Sequence, residues 1–170
     1  PNASLYAAYK ALREAGDAHG LRLFGAHAVE AMRLEKGFLH WKSDLLTEFD
    51  PFETGLDRFV TLDKPDFVGR EALLTRVQTP PAIRLVSLTV ETDANPAHPG
   101  ASVMAGDIVV GTVTSGGWGH RVGQNIAYAF VKAAQTELGT TLEIDSLGQR
   151  IAAMVADFKR YDPDMKIPRG

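Results

Sequence analysis

None of the 170 residues is cysteine, so this chain holds no disulfide, thiolate nucleophile, cysteine-ligated zinc or iron–sulfur cluster. No apolar run approaches the ~20 residues that a membrane-spanning helix needs, so no membrane partner is expected. Positive charge is not in excess. Lys and Arg number 18 against 21 Asp and Glu, a net charge of -3, and neither half of the chain has the basic balance that nucleic acid selects. There is no HExxH. His19, His27, His40, His98 and His120 never fall at the i, i+4 spacing that sets two imidazoles on one helix face, so no metal site is expected. The opening Pro-Asn-Ala-Ser has neither initiator Met nor a charged-then-apolar leader, which reads as a processed or cut end and hence as a fragment.

What is present, 45% hydrophobic and 23% charged residues, describes a globular protein long enough to bury roughly 70% of its unfolded surface. Leu5, Ala8, Tyr9 and Leu12 recur at helical spacing, which predicts a helix from Ser4 to Ala15, capped by Ser4 and ended at Gly16 or Gly20. A second helix is expected over 26–35 with Ala26, Val29 and Met32 on one face and Gly37 as its stop. Residues 38–66 read as loop and short turns. Asp66 then caps a short helix that turns Phe67, Ala72 and Leu73 inward.

After Thr79-Pro80-Pro81 the pattern changes to strands. Ile83 to Val90 alternates, and Ile108 to Thr114, Ile126 to Val131 and Thr140 to Ile144 are β-rich runs separated by glycines. About six short strands with glycine turns predict a small antiparallel barrel or sandwich. Units of 1–80 and 82–163 follow from the change near Pro80.

Chemical motifs are few. Thr114-Ser-Gly-Gly-Trp-Gly lacks the Lys-Ser/Thr of a phosphate loop and is read as a tight turn between strands, with Trp118 as a lid or interface residue. His120 beside it is a contact residue for a ligand or partner, or simply surface. Ser87 and Ser115 have no GxSxG setting, and the pairs Glu35 with Asp44 and Glu48 with Asp50 read as solvated or capping acids rather than catalysts. Arg33, Glu35, Asp44 and Glu53 lie near Phe38 and Trp41 in sequence. Two readings stay open: a polar network beside an aromatic wall for a flat ligand, or a salt-bridge cluster that pins a helix to a loop.

Five segments occur in one order: Arg33-Leu-Glu-Lys-Gly-Phe through Trp41-Lys-Ser-Asp, Pro51-Phe-Glu-Thr-Gly-Leu, Asp66-Phe-Val-Gly-Arg-Glu-Ala-Leu, Gly106-Asp-Ile-Val-Val-Gly-Thr-Val-Thr-Ser-Gly-Gly and Asn125-Ile-Ala-Tyr-Ala-Phe-Val. Together they resemble the C-terminal half of the folate-binding aminomethyltransferase family, the T-protein of the glycine cleavage system, over about residues 4–163. Trp41-Lys-Ser-Asp and Thr47-Glu-Phe-Asp-Pro look more like the tail of dimethylglycine and sarcosine dehydrogenase-like flavoenzymes. The resemblance implies an α+β fold, in which a helical and loop segment from the folate-binding region precedes a small antiparallel Greek-key β-barrel. It also implies tetrahydrofolate as cofactor, FAD only in a missing N-terminal part of the parent, and a one-carbon transfer that this piece does not catalyse alone, because the family's catalytic aspartate lies upstream.

Carried over by position, the folate contacts are Phe38, Trp41, Glu53, Arg58 and Tyr161, with Arg58 facing the folate's glutamate carboxylate and Arg33 and Glu35 structural. Val29 stands where the family has a second arginine. The partners expected are small-molecule folate, the missing N-terminal half and, through surface left bare by its absence, further copies of this chain. The compartment expected is the cytoplasm, or the mitochondrial matrix in a eukaryote. A non-catalytic binding module and a related folate-dependent demethylase are the alternative functions.

Overall fold

The alternation that starts at Ile83 becomes the first strand of a closed six-stranded antiparallel barrel in the computed structural model, which describes residues 2–92 and 95–169. The strands are β1 (Ile83–Val90), β2 (Ser102–Ala105), β3 (Ile108–Gly119), β4 (Gln124–Lys132), β5 (Thr141–Ser146) and β6 (Gln149–Ala156). Around the barrel they run β1-β4-β3-β2-β5-β6. β2, β3 and β4 form a meander and β1 pairs with β4, which is a Greek-key path. The β5–β6 hairpin completes the ring by pairing with β2 on one side and β1 on the other.

The strands need a core on one face only, but β4 is buried on both. Ala127, Ala129 and Val131 point into the barrel, where Val86, Leu88, Val103, Val113 and Ile144 meet them. Ile126, Tyr128 and Phe130 point outward and form a second cluster with Leu34 and Leu85. Small residues inside suit the narrow interior of a six-stranded barrel, and large ones outside reach the elements that cover it.

Those elements come from the chain before the barrel: α1 (Leu5–Asp17), α2 (Ala26–Lys36), the one-turn α3 (Pro51–Thr54) and α4 (Arg70–Arg76); a last turn, α5 (Lys166–Arg169), follows it. α2 lies on β3. A Cβ at Gly117 would meet Leu34 Cδ1 at 2.9 Å and one at Gly119 would meet Glu35 Cγ at 3.0 Å, so glycine lets the helix approach this closely.

Several local expectations are corrected. The run Thr114 to Gly119 is the end of β3 and not a turn; the turn follows at 120–123, where Gly123 N–H donates to the Gly119 carbonyl. α2 buries Ala31, Leu34 and Glu35, whereas Val29 and Met32 face solvent, because the barrel lies against the opposite side of the helix. α1 runs through Gly16 to Asp17 and buries no residue, and the Ser4 side chain forms no cap hydrogen bond. α4 starts after Gly69, so Asp66 is outside it and Ala72 is exposed. No helix among the described residues is long and apolar enough to cross a membrane.

Candidate functional site

The loop after α2 is fixed by one buried carboxylate. Asp44 is fully buried, and its Oδ2 accepts from Arg33 Nη1 at 2.9 Å and from the His40 amide at 2.8 Å. Its Oδ1 accepts from the Thr114 and Ser115 hydroxyls, each at 2.6 Å. Arg33 also donates through Nη2 to Ser115 Oγ at 2.8 Å, through Nη1 to the Phe38 carbonyl at 3.2 Å and through Nε to Glu30 at 2.7 Å. This satisfied network ties α2, the 38–44 loop and β3 together. Arg33 and Asp44 therefore act as an anchor, while Ser115 is a linker between two charges.

Glu35 stands outside that network. Its Oε1 accepts the Arg121 and Val122 amides at 2.5 and 3.2 Å, and its carbonyl accepts the Arg160 and Tyr161 amides at 2.9 Å each. A residue read as structural thus holds both the β3–β4 turn and the segment after β6. Tyr128, at the centre of the outer cluster, donates to the Leu34 carbonyl at 2.8 Å, and burial pushes its phenol well above the ordinary tyrosine range, with Arg33 drawing it partly back. The Arg160 guanidinium donates to Ser87 Oγ and Thr89 Oγ1, and burial lowers its pKa. Lys36 donates to Asp162 at 2.8 Å, and that hydrogen bond holds the carboxyl below its usual range.

Between the 37–45 loop, the 54–58 turn and Phe158-Lys159 opens a cleft of about 370 Å³. Phe38, Leu39, Leu56 and Phe158 give it apolar walls, and Arg58 and Lys159 supply positive charge. Neither cation has an ion-pair partner among the described residues. Of the five residues carried over from the sequence, this cleft brings together Phe38 and Arg58. Trp41 sits on the outside of the same loop, 61% exposed, bridged by backbone to Leu45. Glu53 belongs to the capping box of α3 with Asp50, and pairs with Arg76 Nη2 at 3.0 Å. Tyr161 lies under Arg121 and Lys36, whose charged groups are 5.3 and 5.7 Å from its ring centre.

Phe158 and Lys159 escaped the reading of the sequence. The available signal was an aromatic followed by a cation two residues past the last alternating strand. Among the described residues, no group of three His, Cys, Asp or Glu side chains could hold a metal ion.

Comparison with known proteins places these features. The sequence model of the GCVT N-terminal domain matches residues 1–64, and that of the glycine cleavage T-protein C-terminal barrel domain matches residues 84–162. Trimethylamine-oxide aldolase of Ruegeria pomeroyi is 39% identical over 168 residues, which take in 96% of this chain and 21% of that protein. The mitochondrial dimethylglycine dehydrogenase of Homo sapiens is 35% identical over 150 residues, 88% of this chain and 17% of that protein. The crystal structure of glycine cleavage system aminomethyltransferase T from Bartonella henselae superposes with a TM-score of 0.83 at 26% identity, over 95% of this chain and 45% of that one. The chain spans less than half the length of each of these relatives.

Proposed function

This chain belongs to the glycine cleavage T-protein family, and on that premise we propose that it forms one wall of a tetrahydrofolate cavity in a longer one-carbon transferase. The observation that carries the reading is the cleft itself. Phe38 and Arg58, picked from separate motifs, line one apolar hollow together with Phe158 and Lys159, and neither cation has an ion-pair partner among the described residues. A flat heteroaromatic ring system with an acidic tail fits that chemistry: apolar and aromatic walls take the rings, and the cations take carboxylates. Trp41, Glu53 and Tyr161 stay in the proposal as residues whose part depends on the upstream half, which would close over the face where Trp41 is exposed.

Tetrahydrofolate, when bound, supplies the nitrogens that accept a one-carbon unit. The chain's own residues hold and orient. Phe38 and Phe158 exclude water from the ring face, Arg58 and Lys159 neutralise an acidic tail, and the Arg33–Asp44 anchor keeps the Phe38 loop in place. The lining offers no carboxylate to move a proton, so proton transfer is assigned to the upstream half. The relatives named as a dehydrogenase and an aldolase of methylated amines support a methylated amine as the one-carbon source, oxidised in the dehydrogenase-like case by an upstream FAD domain. The mitochondrial relative supports the matrix as the compartment in a eukaryote.

A second reading, a non-catalytic binding or interaction module, is favoured by the bare apolar face of α1. Calorimetric titration with tetrahydrofolate separates the two. Binding with a dissociation constant on the order of micromolar, weakened at least tenfold in Phe38→Ala, is expected of the folate wall. Heat unchanged by the substitution, or no heat at all, sinks it for this chain and leaves the module.

A further inference from the structure

We propose that the chain carries a second small-molecule site, separate from the folate cleft, which takes an apolar or aryl body bearing a single carboxylate. The observation is a cleft of about 560 Å³ between the 42–49 loop and the outer surface of β3 and β4. That volume is within the usual range for small-ligand pockets and too small for a folded partner. Leu46, Phe49, Val110 and Phe130 supply its walls, and the Phe49 and Phe130 rings lie face to face with centroids 3.7 Å apart. A stacked pair of this kind offers a rigid apolar floor.

The polar side chains that line it are Lys42, Ser43, Thr112 and Thr114; the Thr114 hydroxyl is given to Asp44 and the Ser43 hydroxyl lies 3.2 Å from His40 Nδ1, and Lys42 has no ion-pair partner among the described residues. No Asp or Glu among the described residues lines the cleft. The carboxylate nearest in sequence, Asp44, has both oxygens occupied by Arg33, the His40 amide, Thr114 and Ser115, so it cannot neutralise Lys42. Lys42 is held over the cleft by backbone in the left-handed region, φ 71°, with its amide donating to the Leu45 carbonyl at 3.1 Å. A cleft with apolar walls, one ammonium without an ion-pair partner among the described residues and the Thr112 hydroxyl selects a monoanion with an apolar tail over a cation or a neutral molecule of the same shape.

The test uses this chain and 4-phenylbutyrate, with 4-phenylbutanol as its neutral counterpart, followed by amide chemical shifts. The carboxylate is expected to saturate with shifts at Leu46, Phe49, Val110 and Phe130, and the alcohol to bind about tenfold more weakly or worse. Lys42→Gln should bring the carboxylate down to the level of the alcohol, and Lys42→Arg should restore it. Thr112→Trp, at an exposed rim position, should fill the hollow and abolish both. Equal affinity for acid and alcohol on the unmodified chain, shifts at the Phe38 cleft instead, or no saturable shift each overturns the proposal. The comparison of the two ligands needs no variant, and its outcome is independent of whether the chain binds folate.

Discussion

Asp44 is the residue on which the Phe38 loop depends. Removing a buried carboxylate leaves Arg33, whose side chain is only 10% exposed, with the more exposed Glu30 as its remaining charge partner, and takes the shared acceptor from two hydroxyls. Asp44→Ala is therefore expected to cost about 3–5 kcal/mol, read from the denaturant midpoint, while pairing it with Arg33→Met should recover part of the loss because the buried guanidinium is then removed and only the more exposed Glu30 loses a partner. Tyr128 supplies a pH prediction. Its folded pKa is raised above the unfolded value of about 10, so the stability it contributes is complete below about pH 10 and declines as pH climbs toward the folded value. Tyr128→Phe should lose about 1 kcal/mol at neutral pH with the hydrogen bond to Leu34, and show a shallower alkaline decline than the unmodified chain. A denaturant series repeated from pH 7 to 11 decides it; parallel declines would show that the phenol does not titrate with unfolding.

Among elements, the two helix stops make a controlled pair. Gly37 ends α2 at φ 74° and Gly55 ends α3 at φ 72°, so alanine meets the same left-handed cost of about 1–2 kcal/mol at either. They differ in space. A Cβ at Gly37 would lie 3.1 Å from the Phe158 backbone, whereas at Gly55 it would meet nothing within 4 Å. Gly37→Ala should thus lower the melting temperature clearly more than Gly55→Ala, and equal shifts would mean that Phe158 moves aside freely. The stop at Gly37 was legible in the sequence because αL geometry selects glycine locally. The packed face of α2 was not: Val29 and Met32 have the same spacing as Ala31, Leu34 and Glu35, and only the position of β3 chooses between them. The glycines at 116–119 misled for a related reason, since a glycine kept for a turn and one kept for a close helix look alike in a sequence.

On the scale of the whole molecule, order is uneven. β4 is buried along seven consecutive residues, while α1 exposes Leu5, Tyr6 and Leu12 by 71–72% and has no buried residue. Thirteen residues without packing are marginal as a helix in water, and an apolar face of this kind favours association. Light scattering should show mass rising with concentration, and Leu5→Glu with Leu12→Glu should return the chain to monomer without changing the melt of the barrel. A chain that stays monomeric at high concentration would refute the idea that α1 needs a neighbour.

The sequence by itself determined the strand periodicity after Pro80, the Gly37 stop and the ordered motifs that identify the family, since each depends on local backbone preference or on residue order. Tertiary structure alone decided that Glu35 holds two backbone turns, that Asp44 is wholly enclosed by Arg33 and two hydroxyls, and that Phe158 and Lys159 join Phe38 and Arg58 in one cleft. Apart from Arg33 with Asp44 and Phe38 with Arg58, those pairings join distant parts of the chain, as from Asp44 to Thr114, from Phe38 to Phe158 or from Glu35 to Tyr161. Nothing local favours one distant partner over another, so the choice waits for the barrel to close and bring them within reach.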